Sequence, residues 1–171
     1  MATRIVLDKK KAILLMALVI AAVAAAVILL ESEEDKIKKR FHEFAGLVEK
    51  TPGETKLAMA QKARKVGAMV TRPCTILVPE YKASGSFTPQ EIAQRTAMGR
   101  TRFKRLALEF FDLSVVVTDD MNADAACTAR LEGTRMTGES LEATHELACR
   151  LKKIDGQWLF NRVEVVDVLE K

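Results

Sequence analysis

The sequence predicts an α+β domain, helices first and an antiparallel sheet after, carried behind one membrane-spanning helix. Three observations predict it. Residues 12–30 are nineteen apolar residues without a charge, Gly or Pro. From residue 37 to residue 110 apolar positions recur at the helical spacings of three and four. After Phe111-Asp112 the period falls to two and stays there almost to the C-terminus.

Nineteen residues at ~1.5 Å each just cross a ~30 Å hydrocarbon layer. Arg4, Lys9, Lys10 and Lys11 precede the segment with Asp8, whereas Glu31, Glu33, Glu34 and Asp35 follow it. Basic flanks stay cytoplasmic, so residues 1–11 are a cytoplasmic tail, 12–30 a signal anchor in the lipid bilayer, and 31–171 an exported domain. The address is a bacterial inner membrane, with the C-terminal domain periplasmic or extracellular. The alternative is a cleaved signal peptide, since Ala-x-Ala sites fall near Ala24 and Ala26. Val27-Ile28-Leu29-Leu30 continues the apolar run past those sites and favours the anchor.

The whole chain has 27 Lys+Arg and 23 Asp+Glu, a net charge of +4. Residues 1–30 hold four of the bases and one acid, which leaves 23 against 22, or +1, for the exported part. That balance gives no electrostatic footprint for nucleic acid. About 140 residues suffice for one core. Cys74, Cys127 and Cys149 match no metal-ligand spacing, and with two His in the chain neither a metal nor a cofactor is expected. In an oxidising compartment a Cys127–Cys149 disulfide with Cys74 left over is one state; three buried free thiols are the other.

The elements follow in order. Ser32-Glu33-Glu34-Asp35 has capping-box form and opens a helix whose Ile37, Phe41, Phe44 and Val48 make one stripe. Thr51-Pro52-Gly53-Glu54 reads as a second box, opening a helix with Met59, Ala63, Val66 and Val70 on one face. Cys74–Val78 is a short strand, and Ala83–Ser86 a loop. Thr88-Pro89-Gln90-Glu91 is a third box and starts the longest helix, with Ile92, Thr96, Gly99, Phe103, Leu106 and Phe110 as its buried stripe. Arg95, Arg100, Arg102, Lys104 and Arg105 fall on its other sides and, with Lys62, Arg64, Lys65 and Arg72, form a basic cluster open to solvent, anionic lipid or an acidic partner. Leu113–Thr118, Ala123–Gly133, Leu141–Ile154 and Gln157–Leu169 are four meander strands, the last two joined by Asp155-Gly156.

Three helices, a short strand between the second and third, and a long meander ending in Leu147-Ala-Cys-Arg-Leu-Lys-Lys-Ile-Asp-Gly-Gln-Trp-Leu-Phe resemble the nuclear transport factor 2-like superfamily over about residues 33–168. The resemblance implies a curved sheet wrapped on helices, a cone with a pocket at its mouth. It does not imply one function, because that fold hosts ketosteroid isomerases, polyketide cyclases, binding modules and scaffolds.

His145 lies in phase with Leu141, Ala143, Leu147 and Cys149, so it is expected to face the pocket. There it is the candidate catalytic residue, a general base or proton shuttle with Asp112 or Asp119 to orient it. The superfamily's steroid isomerases pair an Asp base with Tyr and Asp donors, but the only Tyr here is Tyr81, in a loop. That pattern is not reproduced. His42, off the apolar stripe, reads as surface. Trp158 and Phe160 alternate with Leu159 and are expected on the outer sheet face, which in this fold is commonly a protein interface. The expected role is therefore a binding or assembly module at the membrane, with a protein partner or a homodimer through the sheet. The alternative is a tethered enzyme or small-ligand carrier, isomerase- or dehydratase-like, whose pocket takes a small apolar molecule and uses His145.

Overall fold

The computed structural model describes residues 16, 19, 31–78 and 84–166. The expected anchor at 12–30 and Tyr81 lie outside these residues, apart from Met16 and Val19. No helix among the described residues is long and apolar enough to cross a membrane. The chain divides into two compact units, Met1–Ser32 and Glu33–Lys171; the second holds every element below.

Helix α1 runs Glu33–Val48, α2 Lys56–Ala68 and α3 Pro89–Thr101. The strands are β1 Val70–Leu77, β2 Gly85–Phe87, β3 Phe103–Val117, β4 Asn122–Arg135, β5 Ser140–Ile154 and β6 Gln157–Val166. They form one sheet in the order β2-β1-β6-β5-β4-β3. All neighbours are antiparallel except β1 and β6, which run parallel. The sheet is thus mixed, not purely antiparallel. Closing it by pairing the last strand with the first is a long-range choice that no local pattern encodes.

Local chemistry explains most boundaries. Ile37 and Phe41 of the α1 stripe are buried as spaced. Helix α2 begins later than expected, because Thr55 rather than Thr51 is its N-cap and accepts from Ala58 N. Glu54 is thereby released for another bond, and Val70 belongs to β1. At α3 the expected capping box is complete: Thr88 Oγ1 accepts from Glu91 N, and the Glu91 carboxylate accepts from Thr88 N. The loop expected at 83–86 contains the start of β2. The Asp155-Gly156 turn has φ of 49° and 76°, the left-handed pair a two-residue hairpin requires.

The largest departure is the end of α3. The stripe Phe103, Leu106, Phe110 fits a helix, but the chain leaves the helix after Thr101 and enters β3 at Phe103. Leu106, Leu108 and Phe110 then also satisfy a period of two, and pairing along most of β4 decides between the readings. Gly133 permits the crossing, since a Cβ there would sit 2.9 Å from the Phe103 ring. Register shifts in β3 between Phe111 and Ser114, where Asp112 has φ 53°, bend the strand.

Trp158 and Phe160 are buried, 2% and 4% exposed, contrary to the outward placement expected for them. Both faces of β6 alternate as read, but which face is inside depends on the pairing with β5, and a one-residue choice reverses it. The core joins α1 to β1, β3, β4, β5 and β6 through Phe41, Cys74, Val115, Ala123, Leu151 and Phe160.

Candidate functional site

Phe41 and Phe44, one turn apart on α1, meet the inner sheet face edge-on. Phe41 stands 5.2 Å from the Phe110 ring and 5.0 Å from that of Phe160, and Phe44 is 5.5 Å from Phe160. Around them lies a cavity of about 120 Å³, lined by Phe41, Phe44, Val70, Cys74, Ile76, Ile92, Phe110, Leu147, Cys149, Phe160 and Val163. No carboxylate, imidazole, hydroxyl or amide side chain lines it. Ligand pockets are typically ~300–1,000 Å³. This one matches a single aromatic ring, the size at which dry apolar cavities take up benzene.

Two buried thiols, Cys74 and Cys149, line the cavity, and Cys127 lies outside its lining. Burial pushes Cys74 and Cys127 up to about 11, and Cys149 rises further because the other two thiols add to its burial. All three are free and buried, so the structure takes the free-thiol alternative. The sheet register sets Cys127 opposite Leu147 and Cys149 opposite Ala125, which leaves the two cysteines diagonal instead of facing. They pack as small hydrophobes. No group of three His, Cys, Asp or Glu among the described residues is placed to hold a metal ion.

His145 is half-buried and opposite Ala129 on β4, two residues beyond Leu147 and outside the cavity lining. Of its expected orienting partners, Asp119 is engaged in the β3–β4 turn, accepting from Met121 N at 2.8 Å and from Asn122 Nδ2 at 3.0 Å. That turn adjoins the Asn122–Lys152 pair, seven residues along the ladder from His145. Asp112 is exposed at the β3 bulge. His42 is exposed, as read.

Sequence reasoning missed the polar centre of the domain. Arg100, expected on the solvent side of the basic cluster, is 1% exposed. Its Nη1 donates to the carbonyls of Leu47 and Val48 at 2.6 Å and Glu49 at 2.9 Å, capping α1, and its Nη2 donates to Glu54. Lys62 completes the group, donating to Glu49 O at 2.9 Å and pairing with Glu54 at 3.0 Å. Lys50 Nζ donates to the carbonyls of Arg100 and Phe103 at the start of β3. One signal was available: Ile92, Thr96 and Arg100 fall at i, i+4 and i+8, on the buried face of α3. At the other end of α1, Glu33 accepts from Lys153 Nζ at 2.8 Å and Trp158 Nε1 at 2.7 Å.

These carboxylates predict an acid limb of stability. Hydrogen bonds from Lys153, Lys36 and Trp158 hold Glu33 far below its ordinary 4.5, at about 2. Burial opposes ionisation of Glu54, but the hydrogen bonds from Lys62 and Arg100 outweigh it and its value is lowered too. A depressed carboxylate contributes stability that is complete above the unfolded-state value of about 4.3 and is lost as pH falls through the folded value. Urea midpoints are expected to be flat from neutrality to about pH 5 and to fall steadily from about pH 4.5 toward 2. Glu33→Gln flattens part of that fall.

The outer sheet face is different in character. Ser114, Ala126 and Ala148 form the floor of an open groove of about 300 Å³, walled by Val116, Asp124, Arg150, Arg162 and Glu164. Directly opposed residues pair across strands, Asp124 with Arg150 at 3.2 Å and Glu109 with Arg130 at 2.6 Å. Phe111, Val116 and Val166 are exposed beside these ion pairs, and Arg130 lies 4.9 Å over the Phe111 ring.

No family model matches the chain, and no curated protein does. Solved structures do. A nuclear transport factor 2-like protein with a cystatin-like fold from Novosphingobium aromaticivorans has a TM-score of 0.63 at 15% identity, covering 87% of this chain and 90% of its own. A provisionally named calcium/calmodulin-dependent protein kinase II association domain from Xanthomonas campestris gives 0.64 at 16%, covering 84% and 93%. A provisionally named scytalone dehydratase from N. aromaticivorans gives 0.60 at 14%, covering 78% and 82%. The descriptions of these proteins differ while the architecture stays the same, and the fold of residues 33–166 is that of the nuclear transport factor 2-like proteins.

Proposed function

We propose that this chain is a membrane-tethered binding or assembly module, held in the bilayer by residues 12–30 and self-associating through the outer face of its sheet. One observation carries the reading: the cavity at the cone's centre has about 120 Å³ and an entirely apolar lining, so it offers no group to bind or move a proton. The outer face, by contrast, presents a small-residue floor, exposed Phe111 and Val116, and ion pairs of both signs, a surface that can meet its own copy about a two-fold axis. The association domain from X. campestris, with the same fold, is a precedent in kind. Ala148→Glu places a charge on the groove floor. In detergent, light scattering is expected to give a dimer for the full chain and a monomer for the variant, with unchanged circular dichroism. A monomeric parent chain, or a variant that stays dimeric, overturns assembly through this face.

The second reading is a tethered enzyme or carrier. His145, half-buried and on the inner side of β5, and the likeness to the scytalone dehydratase favour it. It requires that His145→Ala abolish turnover while leaving the fold and the oligomer intact.

A further inference from the structure

The net charge of +1 for residues 31–171 conceals a strong segregation. Residues 50–105 carry twelve Lys/Arg against three Asp/Glu, a net of +9, whereas residues 106–171 carry seven against thirteen, a net of −6. Of the first group, Lys56, Lys62, Arg64 and Lys65 lie on α2 and Arg95, Arg100 and Arg102 on α3 or its C-cap, whereas the acids from Glu109 to Glu164 lie on the meander and its turns. Helix α2 holds Lys56, Lys62, Arg64 and Lys65 and no acid. Of the acids near this face, Glu54 is consumed by Arg100 and Lys62, and the Glu91 carboxylate caps α3. Arg64, Lys65 and Arg102 are exposed and have no ion-pair partner among the described residues. Arg95 stands 4.5 Å over the Phe87 ring, exposed as well.

The same face carries two large apolar side chains. Gly67, near the end of α2, lies so close to α3 that a Cβ would come within 2.4 Å of Pro89 O and 3.1 Å of Ala93 Cβ. Glu54, just before α2, bonds Arg100 near the end of α3. The two helices are therefore antiparallel, and Leu57 is level with Met98. Leu57 is 69% exposed and Met98 61%. Two protruding apolar side chains amid unpaired cations, on a surface formed by two parallel-lying cylinders, have the amphipathic pattern of a peripheral bilayer contact.

We infer that the α2–α3 face docks on anionic lipid headgroups, its cations on the phosphates and Leu57 and Met98 in the interface. An acidic protein satisfies the cations equally, but the groove of about 390 Å³ that Lys65 shares with α1, lined by Arg40, Glu43 and Leu47, includes neither Leu57 nor Met98. The inference is strengthened by, and rests on, the reading of residues 12–30 as a bilayer anchor, which makes the lipid surface an intramolecular neighbour.

The test uses the full chain with an environment-sensitive fluorophore on Leu57→Cys or Met98→Cys; the native thiols are buried and raised, so they resist labelling. Vesicles are phosphatidylcholine alone or mixed with phosphatidylglycerol. The expected result is a blue-shifted emission only with phosphatidylglycerol, lost at about 1 M salt, where screening acts within about 3 Å. The shift is also lost in Arg64→Glu/Lys65→Glu, and a fluorophore on Met121→Cys, 54% exposed in the acidic β3–β4 turn, remains water-like. Water-like emission from residues 57 and 98 on both vesicles overturns the inference. So does a shift produced by soluble polyglutamate but not by phosphatidylglycerol, which assigns the face to an acidic protein. Flotation with phosphatidylcholine vesicles tests the anchor separately: a chain that fails to float loses the anchoring reading, while emission on phosphatidylglycerol still decides the face.

Discussion

Replacing Arg100 by Met destabilises the domain by about 3–5 kcal/mol, the usual cost of removing one partner from a buried ion pair. The loss is large because Arg100 satisfies three backbone carbonyls at the end of α1 as well as Glu54; without it the Leu47 and Val48 carbonyls lose their side-chain donor, and Glu49 O and Glu54 keep Lys62. Against a domain stability of about 5–15 kcal/mol this is a substantial fraction. Urea unfolding is the direct measurement, and the midpoint should fall with the slope unchanged. Arg100→Lys keeps the charge but not the planar fork, and is expected to lie between the two. Adding Glu54→Gln to Arg100→Met should restore part of the loss, because a buried carboxylate stripped of Arg100 and left with the partly exposed Lys62 is then gone. A fall below about 1 kcal/mol for Arg100→Met would falsify the role assigned to this group.

Phe41→Ala has an effect of similar size by a different mechanism. Phe41 is 1% exposed and makes two edge-to-face ring contacts, with Phe110 and Phe160. Deleting a buried ring costs about 3–5 kcal/mol, part from lost transfer energy and part from the void that remains. That void is continuous with the existing cavity of about 120 Å³, since Phe41 is part of its wall. The enlarged, dry space is expected to take up benzene, which then restores stability in proportion to the logarithm of its concentration over its dissociation constant. Thermal unfolding with and without saturating benzene measures both effects. A variant as stable as the parent, or one indifferent to benzene, shows that neighbouring side chains have collapsed into the gap.

These two positions were legible to different degrees. Phe41 was on the page in the sequence: its spacing with Ile37 and Phe44 marks a helix face, and a face of that composition is buried wherever the helix packs. Arg100 was read as surface because its charge outweighed its position. Its place on the Ile92–Thr96 face of α3 was visible, but its partners are the carbonyls of Leu47, Val48 and Glu49, some fifty residues earlier. No local pattern announces them. Glu54 shows the same limitation, since a capping role three residues after Thr51 and a buried ion pair look identical in sequence.

The candidate site divides in the same way. The inward phase of His145 and Cys149 follows from alternation along β5 and needs no tertiary information. Whether His145 enters the cavity depends on how far along the strand the helices cover the sheet, and the cavity closes at Leu147. The groove of Ser114, Ala126 and Ala148 was invisible for a related reason: its floor comes from three strands, and only their register makes the residues neighbours.

The sequence by itself determined what depends on short spans of chain: the α1 stripe, the Thr88 capping box, the alternation of β4 and β5, the Asp155-Gly156 turn, and the apolar run at 12–30. Tertiary structure alone decided the parallel pairing of β1 with β6, the exit from α3 at Thr101, the inward face of Trp158 and the burial of Arg100. The reason is one of range. A cap or a period is settled within a few residues, whereas each of the other outcomes is a competition between pairings of distant segments, and a residue that suits both alternatives carries no record of which one wins.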